Sequence, residues 1–505
     1  MGYFPFGFKP VEPTTWAYLS SLMMLALFFK FNRFWSVRNF DLVLIILLTP
    51  GLLMVHYGQL HQEDLRKRGD SGAAVIQELE EQASLPSPAP MSSQESGEDE
   101  SLVQAGDEEN PVAVAKPLND FQKLERSGYI WLFVVGGVFL FRLLYDPLLA
   151  RKPMLEPNLS VGGLVFLTCS LAIFLFANVL VSNPANLAGP EGAANIVRLN
   201  AQEAGDELQK YGPGYPLLHI VPSIRTFRVA NDQENDIGEL ATRSELVEVA
   251  RIMAIISQIV LLAGLVFIGR NHFGSFQMGV GMATIFLMLP YTAQFAGDSM
   301  HLLPGALLVW AVACYDRPLV AGILIGVAAG VCYYPLFLLP LWISFYWERG
   351  RTRFTCGALI AIAIVVGSLA LTSADFSGFL AQLKSIFGFI LPRQEGLGGI
   401  WALNWESWFR LPLLVGFMVL CFSYAFWPQV KDLSSLISCT AAAMVAVQYW
   451  HGDGGGLYLA WYLPLVLLVI FRPNLDSKVA ISVLNEPKRP KSDGRSGDSD
   501  TEYAA

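Results

Sequence analysis

Two ionisable residues lie in the short turn GDSMH that joins two apolar runs at 297–301. Asp298 and His301 are three positions apart, so their side chains meet if the segment is helical. A carboxylate and an imidazole at that spacing can bind a polar substrate or exchange protons with it. A turn between membrane helices also needs polar residues, and position alone favours this solvated turn over a catalytic pair.

A second group of polar residues follows the apolar run that ends near Val181. Glu191 lies close behind that run, and Asp206 and Glu207 follow within one predicted helix. A carboxylate held just outside a bilayer can act as general base on an acceptor hydroxyl. Solvated loops contain many acids, so a structural role for Glu191 stays open as well.

Later loops supply aromatic rings and cations. The tryptophan-rich segment 373–410 and the glycine-rich turn HGDGGG contain further candidates for substrate binding, namely Lys384, Arg393, Asn404, Trp405 and His451. Tryptophans commonly form a belt at a membrane surface, and aromatic rings also stack on sugars. The two cations can neutralise a lipid phosphate or simply meet lipid head groups. We predict no metal site and no cofactor, because His451 and Asp453 alone are too few ligands.

Composition indicates what must position these residues. The chain has 505 residues, of which 53% are hydrophobic and 15% charged, whereas a soluble domain carries roughly 25% charged residues. Many apolar runs approach the length of about 20 residues that spans a bilayer. The sequence therefore predicts an all-α polytopic membrane protein. No basic stripe with interleaved aromatics is present, which argues against a nucleic-acid partner.

Twelve apolar runs define the predicted membrane helices. The run at 318–347 is too long for one span, and we expect a break near Cys332-Tyr333-Tyr334-Pro335, which gives about 12–13 helices. The N-terminus lacks the features of a cleaved signal peptide, so the first run is expected to be a retained span. The runs lie at 16–30, 41–57, 129–145, 160–181, 249–269, 276–293, 301–315, 318–347, 354–372, 411–427, 433–450 and 457–471.

Lysine and arginine accumulate in alternate short connections, which predicts that these connections are cytoplasmic. The long loops 58–128, 182–248 and 373–410 are then extracytoplasmic. The predicted organisation is two N-terminal transmembrane helices (1–57), an acidic and largely disordered extracytoplasmic loop (58–128), a transmembrane core (129–471) and a disordered cytoplasmic tail (472–505).

Several segments carry a resemblance to a known family. They are the GDSMH turn, AGILIGVAAGVCYYPLFLLP at 321–340, YGPGYPLLHIVP at 211–222, WALNWESW at 401–408 and YLAWYLP at 458–464. In this order they resemble the GT-C glycosyltransferases, especially the bacterial polyprenyl-phosphate-sugar-dependent mannosyltransferase-like branch. Two positions depart from the family pattern. Cys332 stands where the family usually has a lysine. In the first outer loop, where the family usually has an aspartate, this chain has Glu191.

The resemblance implies a GT-C-like bundle in the bacterial inner membrane, with the site formed by extracytoplasmic loops. It implies sugar transfer from a polyprenyl-phosphate donor to an unknown glycan, lipid or protein acceptor. Glu191 and Asp298 are then the expected catalytic residues, with Arg393 or Lys384 at the departing phosphate. The expected substrate-binding residues are His301, Tyr334, Lys384, Arg393, Asn404, Trp405 and His451. Two alternatives stay open, a secondary transporter or lipid flippase, and a catalytically inactive scaffold of the same fold.

Overall fold

The computed structural model describes most of the predicted membrane region. The described residues are 12–83, 111–148, 157–184, 186–198, 212–231, 243–372, 376–377, 379–380, 397–403, 405–452 and 454–485. Within them the chain is helical, and the β-structure is a single isolated bridge between Asp432 and Val479. The all-α prediction is confirmed for this part of the chain.

Seventeen α-helices lie in the described residues. In chain order they are α1 (Pro13–Phe28), α2 (Val37–Ala83), α3 (Pro111–Leu144), α4 (Val161–Val181), α5 (Ala188–Arg198), α6 (Gly214–Asn231), α7 (Arg243–Asn271), α8 (Phe276–Met288), α9 (Pro290–Gln294), α10 (Ser299–Ala313), α11 (Pro318–Cys332), α12 (Leu339–Phe345), α13 (Arg351–Thr372), α14 (Arg410–Ser423), α15 (Leu433–Val447), α16 (Leu463–Phe471) and α17 (Ala480–Asn485).

Helix starts follow from prolines and polar caps. Proline occupies the first turn of α1, α9 and α11, where its missing N–H group has no intrahelical acceptor to lose. Ser160 caps α4 by accepting from the Gly163 N–H group. Asp432 and Ser435 form a reciprocal capping box on α15. These prolines and caps therefore determine where the apolar helices begin.

Five helices among the described residues are long and apolar enough to cross a membrane. They contain the stretches Val37–Leu65, Asp120–Leu148, Val161–Val181, Arg243–Asn271 and Arg351–Ala370. Only 17% of the apolar stretch of α4 is buried inside the protein, which suits a helix that faces lipid. By length and composition the chain is therefore a polytopic membrane protein. Shorter apolar helices, among them α8, α10, α11 and α15, fill its interior.

The predicted disordered loop at 58–128 needs correction at both ends. Helix α2 continues to Ala83 and α3 already begins at Pro111, while residues 84–110 lie outside the described part. The residues after Leu65 include many good helix formers, such as those of QELEEQA. Near the ends of their apolar stretches the two helices pack together. The side-chain amides of Gln59 and Gln62 donate to the buried Glu125 carboxylate at 2.9 and 2.8 Å.

The long apolar run at 318–347 is broken where the sequence predicts. Helix α11 ends at Cys332, Tyr333 adopts a left-handed φ of 56°, and a 3-10 turn covers Tyr334–Leu338 before α12 begins. Pro335 lacks a donor and disfavours a helical conformation at the residue before it. The N–H group of Gly212 donates to the Val331 carbonyl at 3.0 Å. The break therefore contacts the 182–248 segment.

Helices α11 and α13 pack through glycines spaced four residues apart. Gly322, Gly326 and Gly330 lie on one face of α11 and contact α13 so closely that a side chain would not fit. A Cβ atom at Gly326 would lie 2.6 Å from the Cβ atom of Ala361. Small residues at this spacing let two membrane helices approach at backbone distance.

Charged residues tie one end of the bundle together. Arg142 donates to Asp41 through two bonds of 2.9 Å and to Asp146 at 2.9 Å, and Arg472 donates to Asp146 at 2.6 Å. The chain after Arg472 is folded as far as α17, since the N–H group of Leu433 donates to the Lys478 carbonyl at 3.0 Å. The predicted disordered tail at 472–505 is therefore corrected for residues 472–485, and later residues lie outside the described part.

Candidate functional site

The Asp298 turn lies at the opposite end of the bundle. Asp298 caps α10 by accepting from the Met300 N–H group at 2.8 Å, and its two carboxylate oxygens lie 3.4 and 3.5 Å from the Asn186 amide nitrogen. The first turn of α10 then brings His301 Nε2 to 4.0 Å from Asp298 Oδ2. The two residues are therefore neighbours, and the Asp298 side chain keeps 26% of its surface exposed.

His301 is buried between aromatic rings. Its ring stacks on Phe295 with centroids 4.2 Å apart and on Tyr458 with centroids 4.5 Å apart. The hydroxyl of Tyr291 lies 2.7 Å from His301 Nδ1. The imidazole is thus held in one orientation, with Nε2 on the side of Asp298.

Further rings extend this stack into a cluster. We call it the aromatic–histidine cluster and define it as His301, Tyr334, His451, Tyr458 and Trp461. The Tyr458 and Trp461 rings stack with centroids 4.3 Å apart, and the His451 and Tyr334 rings are 5.1 Å apart. Each such pair contributes about 0.5–1.5 kcal/mol beyond the burial of its area. His301, Tyr334 and His451, predicted from three separate segments, are therefore brought together.

Hydrogen bonds between side chains and the backbone explain why these segments meet. Gln448, just after α15, accepts from the N–H groups of Gly456 and Tyr458 at 3.1 and 3.3 Å. Gly454 and Gly456 have φ values of 73° and 95°, which other residues rarely adopt. This turn directs the following 3-10 segment toward α10, where the indole of Trp461 donates to the Met300 carbonyl at 3.1 Å.

Helices α5 and α6 cover the same end of α10. His219 Nε2 lies 3.2 Å from the Ser299 hydroxyl, which also meets the Tyr215 hydroxyl at 2.9 Å. A Cβ atom at Gly189 of α5 would collide with the His219 ring, so the two helices are in close contact there. Glu191 lies in the first turn of α5 and is half-buried. Its participation in one site with Asp298 stays a prediction.

The charge state of His219 follows from its surroundings. Burial lowers the pKa of His219 to about 4, although the Tyr215 carbonyl and the Asp298 carboxylate both favour the charged form. The imidazole is therefore neutral near pH 7. Because its Nδ1 lies 2.8 Å from the Tyr215 carbonyl, Nδ1 carries the proton and Nε2 accepts from Ser299.

Of the four remaining predicted substrate-binding residues, the structure describes Trp405. The Arg126 guanidinium of α3 lies over the Trp405 ring, with Arg126 Cζ 5.6 Å from the ring centroid. Lys384, Arg393 and Asn404 lie outside the described residues. No three histidine, cysteine, aspartate or glutamate side chains gather as metal ligands within the ranges that the structure describes.

Sequence reasoning missed several members of this site. Tyr291 lies in an apolar stretch in which nothing marks it. His219 was contained only in the YGPGYPLLHIVP segment, and Tyr458 and Trp461 only in the YLAWYLP segment. Arg410 was also missed, although it is buried and donates to the Trp450 carbonyl at 3.1 Å, beside His451. An arginine at the start of an apolar helix is the signal that could have found it.

Comparisons of the chain with protein-family models, with curated proteins and with solved structures find no match.

Proposed function

We propose that the chain is a membrane glycosyltransferase with a GT-C-like bundle of about 12–13 transmembrane helices in the bacterial inner membrane. It transfers a sugar from a polyprenyl-phosphate donor to an acceptor at the extracytoplasmic face. The observation that carries the proposal is the approach of Asp298 and His301 at one end of the bundle, next to Tyr334 and His451. Asp298, His301 and Tyr334 come from the segments that resemble the family.

The proposed reaction is a direct displacement at the anomeric carbon. A carboxylate, Glu191 or Asp298, removes the proton of the acceptor hydroxyl while the new carbon–oxygen bond forms. The bond from the anomeric carbon to the phosphate oxygen breaks, and the lipid phosphate leaves with the electron pair. Arg393 or Lys384 stabilises the charge on that phosphate, and the half-buried rings of Tyr334, Tyr458 or Trp405 support the sugar.

Orientation follows from the distribution of charge. The Arg142 and Arg472 end of the bundle carries the basic connections and is assigned to the cytoplasm. The Asp298 end is then extracytoplasmic. Labelling of a cysteine introduced at Gly350 from the outer side of intact cells would overturn this assignment.

A second candidate is a catalytically inactive scaffold of the same fold. It is favoured by the use of Asp298 as a helix cap and by its two contacts with Asn186. A carboxylate oriented by these bonds serves to hold the helix start and the Asn186 segment in place. This candidate predicts intact folding and no transfer.

The test measures transfer from labelled polyprenyl-phosphate sugars in membranes that contain the protein. Asp298→Asn keeps the cap, because asparagine caps helices as well as aspartate does, but removes the base. We expect a loss of about 100-fold or more if Asp298 is the base, and the same for Glu191→Gln if that residue is. Asp120→Asn, at an exposed position, is the control and should retain full activity.

Wild-type protein that is folded but inactive with every donor would favour the scaffold. Full activity of both variants would remove Asp298 and Glu191 from the reaction.

A further inference from the structure

A separate pocket lies beside the segment that follows α4. Its volume is about 480 Å³, and it lies between residues 183–187 and the first turns of α7. Its lining residues are Asn183, Pro184, Leu187, Arg243, Ser244, Val247, Glu248 and Arg251. The proposed reaction uses none of these side chains.

The pocket carries an excess of positive charge. Two arginines face one glutamate, which leaves a net charge of +1. The Arg251 guanidinium donates to the Ser182 carbonyl at 3.1 and 2.8 Å through Nε and Nη2, which fixes its position at the end of α4. Arg243 is exposed and forms no ion pair with any carboxylate that the structure describes. Its guanidinium is available to a ligand.

The position of the pocket suits a ligand that is also held by the bilayer. Helix α4 is largely exposed and apolar, and it ends at Val181 beside the pocket. Pro184, Leu187 and Val247 give the pocket apolar walls. A cationic recess with apolar walls at the end of a lipid-facing helix matches an amphiphile with an anionic head group.

We propose that this pocket binds the phosphate head group of a lipid with net negative charge. Arg243 is the principal contact, since its planar guanidinium matches phosphate oxygens in a bidentate arrangement, and Arg251 adds a second positive charge. Occupancy also restrains Asn183, Pro184 and Leu187, close in sequence to Asn186, which contacts Asp298. The assignment stands independently of the proposed transfer reaction.

The experiment is native mass spectrometry of the full-length protein released from detergent. The probes are phosphatidylglycerol, undecaprenyl phosphate and phosphatidylcholine, each added at matched concentration. We expect retention of the two anionic lipids over phosphatidylcholine, and retention of only one of them would identify the source of the phosphate. Arg243→Gln should weaken binding about tenfold, and Arg270→Gln, an exposed arginine at the other end of α7, should not.

Glu248→Gln, in the same pocket, should change lipid binding in the opposite direction from Arg243→Gln. Removal of its negative charge should tighten binding severalfold, which a partly unfolded variant would not do. Three results would each overturn the proposal. They are retention of phosphatidylcholine equal to that of the anionic lipids, equal weakening by Arg270→Gln and Arg243→Gln, and no change in Glu248→Gln.

Discussion

Among single residues, His219 couples α6 to the Asp298 turn. It belongs to α6, which is not among the long apolar helices, and it meets Ser299 at the start of α10. Its side chain is fully buried, with one nitrogen donating to a carbonyl and the other accepting from a hydroxyl. A second proton on the ring would place a positive charge in this buried position, and Nε2 would then donate to the Ser299 hydroxyl instead of accepting from it.

Stability should therefore fall when the medium is acidified. The folded-state pKa of His219 is about 4 against 6.5 for the free side chain, so the unfolded chain binds more protons between these values. The stabilisation is complete above pH 6.5 and is lost as the pH falls toward 4, by roughly 3 kcal/mol at most. The melting temperature of the detergent-solubilised protein should follow this course.

His219→Gln supplies the comparison, since glutamine does not titrate. Its melting temperature should depend less on pH between 6.5 and 4 than that of the wild type. An identical acid-induced loss in both proteins would show that other groups are responsible.

Polar residues in an apolar context were the part of the site that sequence could predict. Asp298, His301 and His451 stand out because burial of such groups near a membrane is costly unless they are paired or used. Tyr291, Tyr458 and Trp461 could not be distinguished in this way, because aromatic residues are ordinary in membrane helices. Their role follows from tertiary contacts between helices that are distant in sequence.

At the scale of elements, the α11–α13 contact depends on the absence of side chains. Gly322 meets the Phe354 carbonyl, and Gly330 would place a Cβ atom 2.7 Å from Val365. Without a hydrophobic driving force between helices in lipid, such close packing supplies much of the association energy. The contact also supports the end of α11, next to the break before Tyr334.

We expect Gly326→Val to loosen this contact. Its Cβ atom would lie 2.6 Å from the Cβ atom of Ala361 and 2.8 Å from the Ala358 carbonyl oxygen, and overpacking of this kind costs about 1–3 kcal/mol. Gly367→Val in α13 is the matched control, because nothing lies within 4 Å of a Cβ atom there. The melting temperature of Gly326→Val should fall well below that of Gly367→Val. Equal melting temperatures would contradict the packing argument.

Helix positions were largely predictable because a helix needs about 20 apolar residues to span a bilayer, and runs near that length are visible in the sequence. Helix ends outside the bilayer were not predictable from the same signal. Residues 66–83 are polar and acidic enough to match a disordered composition, yet they continue α2. Hydropathy distinguishes segments that can lie in lipid from polar segments, but it does not distinguish a polar helix from a polar loop.

At the scale of the whole molecule, the N-terminal helices are part of the bundle and not an addition to it. Asp41 of α2 and Asp146 after α3 share Arg142, and Asp146 also binds Arg472, 326 positions later. Asp41 and Asp146 are almost completely buried, with exposures of 3% and 0%. Buried charges at a membrane boundary are stable only when they are paired. Helix α2, the end of α3 and the segment at Arg472 therefore stabilise one another.

Arg142 is the residue on which this charge network depends, since it donates to both aspartates. Arg142→Gln deprives Asp41 and Asp146 of their common partner, and loss of one member of a buried pair costs about 3–5 kcal/mol. We expect the variant to accumulate poorly in the membrane and to melt earlier in detergent than the wild type. The double variant Asp41→Asn/Arg142→Gln removes a negative charge together with the positive one, so it should recover part of the loss. Arg353→Gln, an exposed arginine at the same end, serves as the control. If the double variant were as unstable as the sum of its two single substitutions, the pairing of Asp41 with Arg142 would not be what joins α2 to α3.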